Sequence, residues 1–80
     1  MNVTVKFTSY SSLVGTSACV LELPAGATVA ELAGLLAERF PSLFPRAERA
    51  IYLVNQRTGA RDTRLTDGSE VLMLQVLGGG

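Results

Sequence analysis

From Thr28 to Phe40 the 80-residue chain carries its one clear amphipathic helix, and that segment constrains the fold more than any other. Val29, Leu32, Ala33, Leu36 and Phe40 recur at helical spacing and form an apolar stripe. Ala30, Gly34, Ala37, Glu38 and Arg39 fall mostly on the other side. Thr28 followed by Glu31 is a capping box that starts the helix. Pro41 stops it near Phe40, because the residue before a proline avoids helical dihedrals. One helix of about twelve residues cannot close a core alone and must lie on a sheet. It can cover only one face of that sheet.

The flanking segments supply the sheet. Val3, Val5 and Phe7 alternate with Asn2, Thr4 and Lys6, which predicts a strand over 2–8. The polar segment Ser9 to Thr16, with Gly15, suits a turn. Residues 17–23 read as a second strand, with Cys19, Leu21 and Leu23 on one side and Val20 and Glu22 on the other. The pair is an expected antiparallel hairpin. Pro24-Ala25-Gly26-Ala27 ends it. After the helix, residues 41–49 hold two prolines and read as a crossing loop with one short helical turn at 46–49. A third strand is expected at 51–54, a polar turn around Gly59 over 55–62, and a short fourth strand at 60–64. Leu65-Thr66-Asp67-Gly68 is an Asx-Gly turn, and the last strand runs from Glu70 to Leu77. The expectation is an α+β fold, a mixed four- to five-stranded sheet with one main helix on one face. The last strand should lie parallel to the first, with the helix as the long crossover that such pairing requires. Residues 1–77 make one domain, and 78–80 a flexible glycine tail.

Composition removes several function classes. Seven basic and seven acidic residues balance, without the basic cluster expected of a nucleic-acid binder. No apolar stretch approaches the roughly 20 residues that span a bilayer, and Met1-Asn2-Val3-Thr4-Val5 is not a secretory signal. Neither nucleic acid nor membrane is therefore an expected partner. Cys19 has no second cysteine to pair with, so a cytoplasmic setting is expected. Cys19 itself reads as a small core residue. The chain has no histidine, no paired carboxylates at a useful spacing, no metal-ligand cluster, no phosphate loop and no nucleophile elbow. No catalytic residue, bound cofactor or metal is expected. Arg57, Arg61 and Arg64 border the long turn as a solvated face, or as a patch that steers an acidic partner.

What remains is Gly78-Gly79-Gly80, directly after an apolar strand. Glycine is about 7% of residues, so three together at a given place is a chance event of about three in ten thousand. A glycine tail packs nothing and costs entropy to order. It does offer a narrow thread ending in a carboxylate, which suits a partner enzyme for which that carboxylate is the reacting group. The bland alternative is a frayed end.

The layout looks like the β-grasp, ubiquitin-like fold. Within it the chain resembles the prokaryotic sulfur-carrier family, which includes the small subunit of molybdopterin synthase and the thiamin-pathway sulfur carrier. The residues that carry the resemblance run end to end: Leu13-Val14-Gly15-Thr16, Leu23-Pro24-Ala25-Gly26-Ala27-Thr28-Val29-Ala30-Glu31-Leu32, Val54-Asn55-Gln56, Leu65-Thr66-Asp67-Gly68 with Glu70-Val71, and the terminal Gly79-Gly80. Three departures stand out. Ser69 occupies a turn position where the family usually has Asp, Leu74-Gln75-Val76 replaces an aromatic and proline-bearing stretch, and the turn from Asn55 to Leu65 is longer than in short thiamin-type carriers.

The resemblance implies a carrier, not an enzyme. An E1-like adenylating enzyme would use ATP to activate the Gly80 carboxylate, and a sulfur donor enzyme bearing a persulfide would convert it to a thiocarboxylate. A sulfur-accepting synthase subunit would then receive the sulfur, in molybdopterin synthesis above all. The alternatives are carriers for cysteine, homocysteine, thiamin or siderophore-like sulfur assembly, a protein modifier joined through Gly80, and a plain binding module. Gly78 and Gly79 would thread the partner's channel. From Leu74 the last six residues could span roughly 20 Å. The sheet face without the helix should present an apolar docking surface, with Leu74 and Val76 foremost and Leu72 and Val20 beside them. The opposing expectation is that loop 41–49 folds over that face and buries it.

Overall fold

The computed structural model describes residues 1–76. β1 (Asn2–Lys6) leads through a 3₁₀ turn, Thr8–Tyr10, into a one-turn helix α1 (Ser11–Val14), then β2 (Ala18–Glu22). The main helix α2 (Val29–Arg39) follows, then a 3₁₀ turn at Pro41–Leu43 and a short α3 (Arg46–Arg49). β3 (Ile51–Val54), β4 (Arg57–Gly59) and β5 (Glu70–Leu74) complete the described chain. Among the described residues the strands form one five-stranded sheet in the order β2-β1-β5-β3-β4. β1 pairs antiparallel with β2 and parallel with β5, and β3 pairs antiparallel with β5 and β4. This is the ubiquitin-like β-grasp arrangement that the sequence leads one to expect.

The capping box forms, with Thr28 Oγ1 accepting from the Glu31 N–H at 3.3 Å. Its return bond differs from the usual one: the Thr28 hydroxyl reaches the Glu31 carboxylate at 3.4 Å. Val29, Leu32, Ala33 and Leu36 are buried, and they pack over Val3, Val5, Phe7, Leu21, Tyr52, Val71 and Met73. Half-buried Phe40 meets Phe7 edge to face, with ring centroids 5.3 Å apart.

The sequence reading needs correction at three places. The expected strand at 60–64 is absent, and the return strand is β4, at Arg57–Gly59. Asn55 and Gln56 both take positive φ, +49° and +72°, and make a two-residue turn straight after β3. Gly59 is therefore not the turn centre. It lies in β4 opposite Tyr52, where a Cβ would come 3.0 Å from Val54 Cγ2 and 3.2 Å from Val29 Cγ2. Residues 60–64 serve the helix instead, since the Arg61 and Thr63 carbonyls accept from Ala30 and Val29, two first-turn N–H groups without intrahelical partners.

The segment 9–16 contains 3₁₀ and α turns rather than a plain turn, closed by left-handed Gly15 at φ +83°. The first and last strands are also shorter than expected, ending at Lys6 and Leu74. The loop 41–49 agrees with the leading expectation and packs on the helix side: Leu43 and Ala47 are fully buried in the core, and the Tyr52 hydroxyl donates to the Ala47 carbonyl. It leaves the opposite sheet face uncovered.

Candidate docking face and tail exit

The uncovered face is set by strand alternation. Val71 and Met73 point into the core and are fully buried, so Leu72 and Leu74 point to the open side, where both are half-buried. Register places Leu72 opposite Leu53, and Leu74 opposite Ile51. These four side chains form one apolar patch on two adjacent strands. Ile51 is 40% exposed. Val76 is 42% exposed and lies two residues beyond the end of β5. Val76 thus adds a further exposed apolar residue along the sequence between this patch and the glycine run. Leu77, Gly78, Gly79 and Gly80 lie outside the described residues.

Val20 does not join this patch. It is 62% exposed on edge strand β2, and Thr4 separates it from β5. Lys6 lies opposite Leu72 and pairs with Glu70 at 3.2 Å, so a charged pair borders the apolar group on the β1 side. Both partners are about half exposed, and such a pair contributes little stability. Ile51 and Leu53 were not singled out from sequence, because only the β3–β5 register brings them beside Leu72 and Leu74.

The other end of β5 is anchored rather than open. The Asn2 N–H donates to Asp67 Oδ1 at 2.8 Å, and the Gly68 N–H donates to the Asn2 carbonyl at 2.8 Å. Ser69 is buried, and its hydroxyl accepts from the Thr66 N–H at 3.0 Å. The departure from Asp is therefore a buried turn lock. Arg57 also lies at this end, where β5 begins, and Arg64 Nη1 donates to the Gly26 carbonyl at 3.0 Å. Arg61 stands apart from them, two residues beyond Gly59, which pairs with Tyr52.

Cys19 is half-buried beside the core, and burial pushes its thiol pKa up, against a smaller lowering by the Arg39 guanidinium. Such a thiol is largely protonated near neutral pH and is a weak nucleophile. Among the described residues there is no group of His, Cys, Asp and Glu able to hold a metal. No helix among them is long and apolar enough to cross a membrane.

The ThiS family matches the chain over residues 7–80, all but the first six positions. The chain belongs to the ThiS family. No curated protein sequence matches it. Solved structures similar to this ThiS-family chain include small archaeal modifier protein 1 from Haloferax volcanii, at 18% identity and a TM-score of 0.86, covering 100% of both chains. A Pyrococcus furiosus protein described as a molybdopterin converting factor, subunit 1, is 24% identical with a TM-score of 0.83, over 96% of this chain and 99% of that one. Another lies within a complex of subunits 1 and 2 of the molybdopterin-converting factor from Helicobacter pylori, at 20% identity, a TM-score of 0.69 and full coverage of both chains. At these identities the likeness establishes the shared ubiquitin-like fold.

Proposed function

We propose that this ThiS-family chain is a sulfur carrier whose reactive centre is the Gly80 carboxylate. The observation that carries the reading is that the family match extends through the glycine run to residue 80. A carboxylate resists nucleophilic attack because of its charge. In the proposed sequence an E1-like partner directs a Gly80 carboxylate oxygen onto the α-phosphorus of ATP, and pyrophosphate leaves. The terminal sulfur of a donor enzyme's persulfide attacks the resulting acyl-adenylate, and AMP leaves. A second thiol of the donor then cleaves the S–S bond. The thiocarboxylate stays on Gly80 and the donor is left as a disulfide. With no Cβ at 79 and 80, a narrow channel can close on the backbone and the carbonyl is not shielded.

The chain itself contributes presentation, not catalysis. The patch of Leu72, Leu74, Ile51 and Leu53, continuing to Val76, is proposed to dock the enzymes that take the tail. ATP is consumed by the activating enzyme and is not held by this chain. The sulfur acceptor is proposed to be a synthase subunit acting on a pterin precursor in molybdopterin synthesis. The Leu13-Val14-Gly15-Thr16 segment and the long 55–65 connection support that branch. The H. pylori relative in complex with its second subunit is a precedent for such a partner. The site of action is proposed to be the cytoplasm, in keeping with a single unpaired cysteine, Cys19.

Intact mass spectrometry after incubation with a cognate activating enzyme, ATP and a persulfide donor tests the reading. A gain of about 16 Da, oxygen replaced by sulfur, is expected and should vanish on deleting Gly79-Gly80. Protein conjugates in place of that gain would instead identify a modifier. No change of either kind would remove the proposal.

A further inference from the structure

The parallel β1–β5 ladder ends in an unusual way. The Thr4 N–H donates to the Ser69 carbonyl at 3.0 Å, with register Thr4↔Glu70, Val5↔Val71 and Lys6↔Leu72. In a parallel ladder alternate residues of one strand face the neighbour, so the donors of β1 toward β5 are Thr4, Lys6 and then Thr8. The next carbonyl in line is that of Met73. Thr8 does bond it, but through its side chain: Thr8 Oγ1 donates to the Met73 carbonyl. The backbone has already turned away, with Phe7 in the helical region and Thr8 at φ +49°.

A β-branched residue at positive φ is rare, because its branched Cβ crowds the backbone. Glycine would take this conformation without strain. Threonine here is explained by its hydroxyl, which takes the place of the displaced N–H in register. It lets β1 stop while the carbonyl of buried Met73 keeps a partner. Beyond that bond the described chain of β5 pairs through Leu74 with Ile51 alone, then leaves the sheet at Gln75.

We propose that the Thr8 hydroxyl is a positioning group that fixes where the last strand leaves the sheet, and so sets the direction in which the chain after Leu74 is presented to the activating enzyme. Its effect on loading rests on the carrier reading above; the clasp itself does not. Thr8 touches no reacting atom and acts through the Met73–Leu74 backbone.

Three variants test it. T8G removes the hydroxyl while lifting the backbone strain, T8A removes the hydroxyl and the γ-methyl but keeps the Cβ, and T8S removes the methyl and keeps the hydroxyl. Amide exchange followed by NMR should quicken about tenfold at Met73 and Leu74 in T8G and T8A, with T8S close to the parent. Core amides at Val3 and Leu32 in T8G should keep their parent rates. With the activating enzyme, T8G should lower kcat of adenylation about tenfold and leave KM within about twofold, because docking survives and delivery of the carboxylate does not. Parent-like exchange at Met73 and Leu74 in T8G, or a parent-like kcat, would overturn the proposal. If the parent chain is not adenylated at all, the carrier reading fails, and the exchange measurement alone decides the clasp.

Discussion

Ile51 sits directly across from Leu74 in the antiparallel β3–β5 pair, on the sheet face that neither the helix nor loop 41–49 covers. Two sequence-distant apolar residues thereby form one surface just before the chain leaves the sheet. Replacing Ile51 with Asp should weaken binding of the activating enzyme by about 2 kcal/mol, about thirtyfold in Kd. Leu74→Asp should match it. Val20→Asp, across β1 from the patch, should cost far less. Calorimetric titration measures the affinity, and thermal melts should show Ile51→Asp still folded, because Ile51 is 40% exposed.

Two glycines should respond to alanine with opposite signs. A Cβ at Gly59 would press on Val54 and Val29 at 3.0 and 3.2 Å, so Gly59→Ala should destabilise by about 1–3 kcal/mol. A Cβ at Gly34, exposed in α2, meets nothing within 4 Å. Gly34→Ala should stabilise by about 0.5–1 kcal/mol through helix propensity. Urea titration of the two variants checks both.

Tyr52 predicts an alkaline limit. Its hydroxyl donates to the Ala47 carbonyl, and burial first, then the neighbouring Tyr10, pushes its pKa well above the ordinary tyrosine value, against a smaller lowering by Arg61. The folded chain holds this proton where the unfolded chain gives it up. The contribution is therefore complete below about pH 10 and is lost as pH rises above that toward the folded-state value. Tyr52→Phe should remove this part of the slope and cost about 1–2 kcal/mol at neutral pH by leaving the Ala47 carbonyl unpaired. Denaturant melts at pH 7 and above pH 10 separate the two effects.

Cys19 should be a bystander in sulfur loading. Its half-buried, largely protonated thiol should react slowly with iodoacetamide at neutral pH. Cys19→Ser should leave the rate of mass gain at Gly80 unchanged. A loss of loading in that variant would show that the thiol relays sulfur.

Where neighbours in sequence decide the structure, the reading held. Alternation at Val3, Val5 and Phe7 located β1, Thr28 with Glu31 located the helix start, and the 51–54 strand has the expected bounds. It failed where partners distant in sequence decide. Gly59 looked like a turn residue, but its lack of a side chain answers to Val29 and Val54. Residues 60–64 looked like a strand because helix N–H groups some thirty positions away, which claim their carbonyls, are invisible locally. The side taken by loop 41–49 was expected correctly, and it depends on Leu43 and Ala47 finding room beneath α2. Alternation alone put Leu72 and Leu74 together on one side of the last strand, whereas bringing Ile51 and Leu53 beside them required the register.

β5, the last of the described strands, occupies the middle of the sheet, between β1 and β3. Until the ribosome has released that segment, the two flanking halves have nothing to zip onto. On the carrier reading, a prematurely truncated copy lacks the β5 half of the proposed docking face, and an activating enzyme is not occupied by unfinished product. Assembly of the body therefore certifies that synthesis has reached the stretch leading to the glycines.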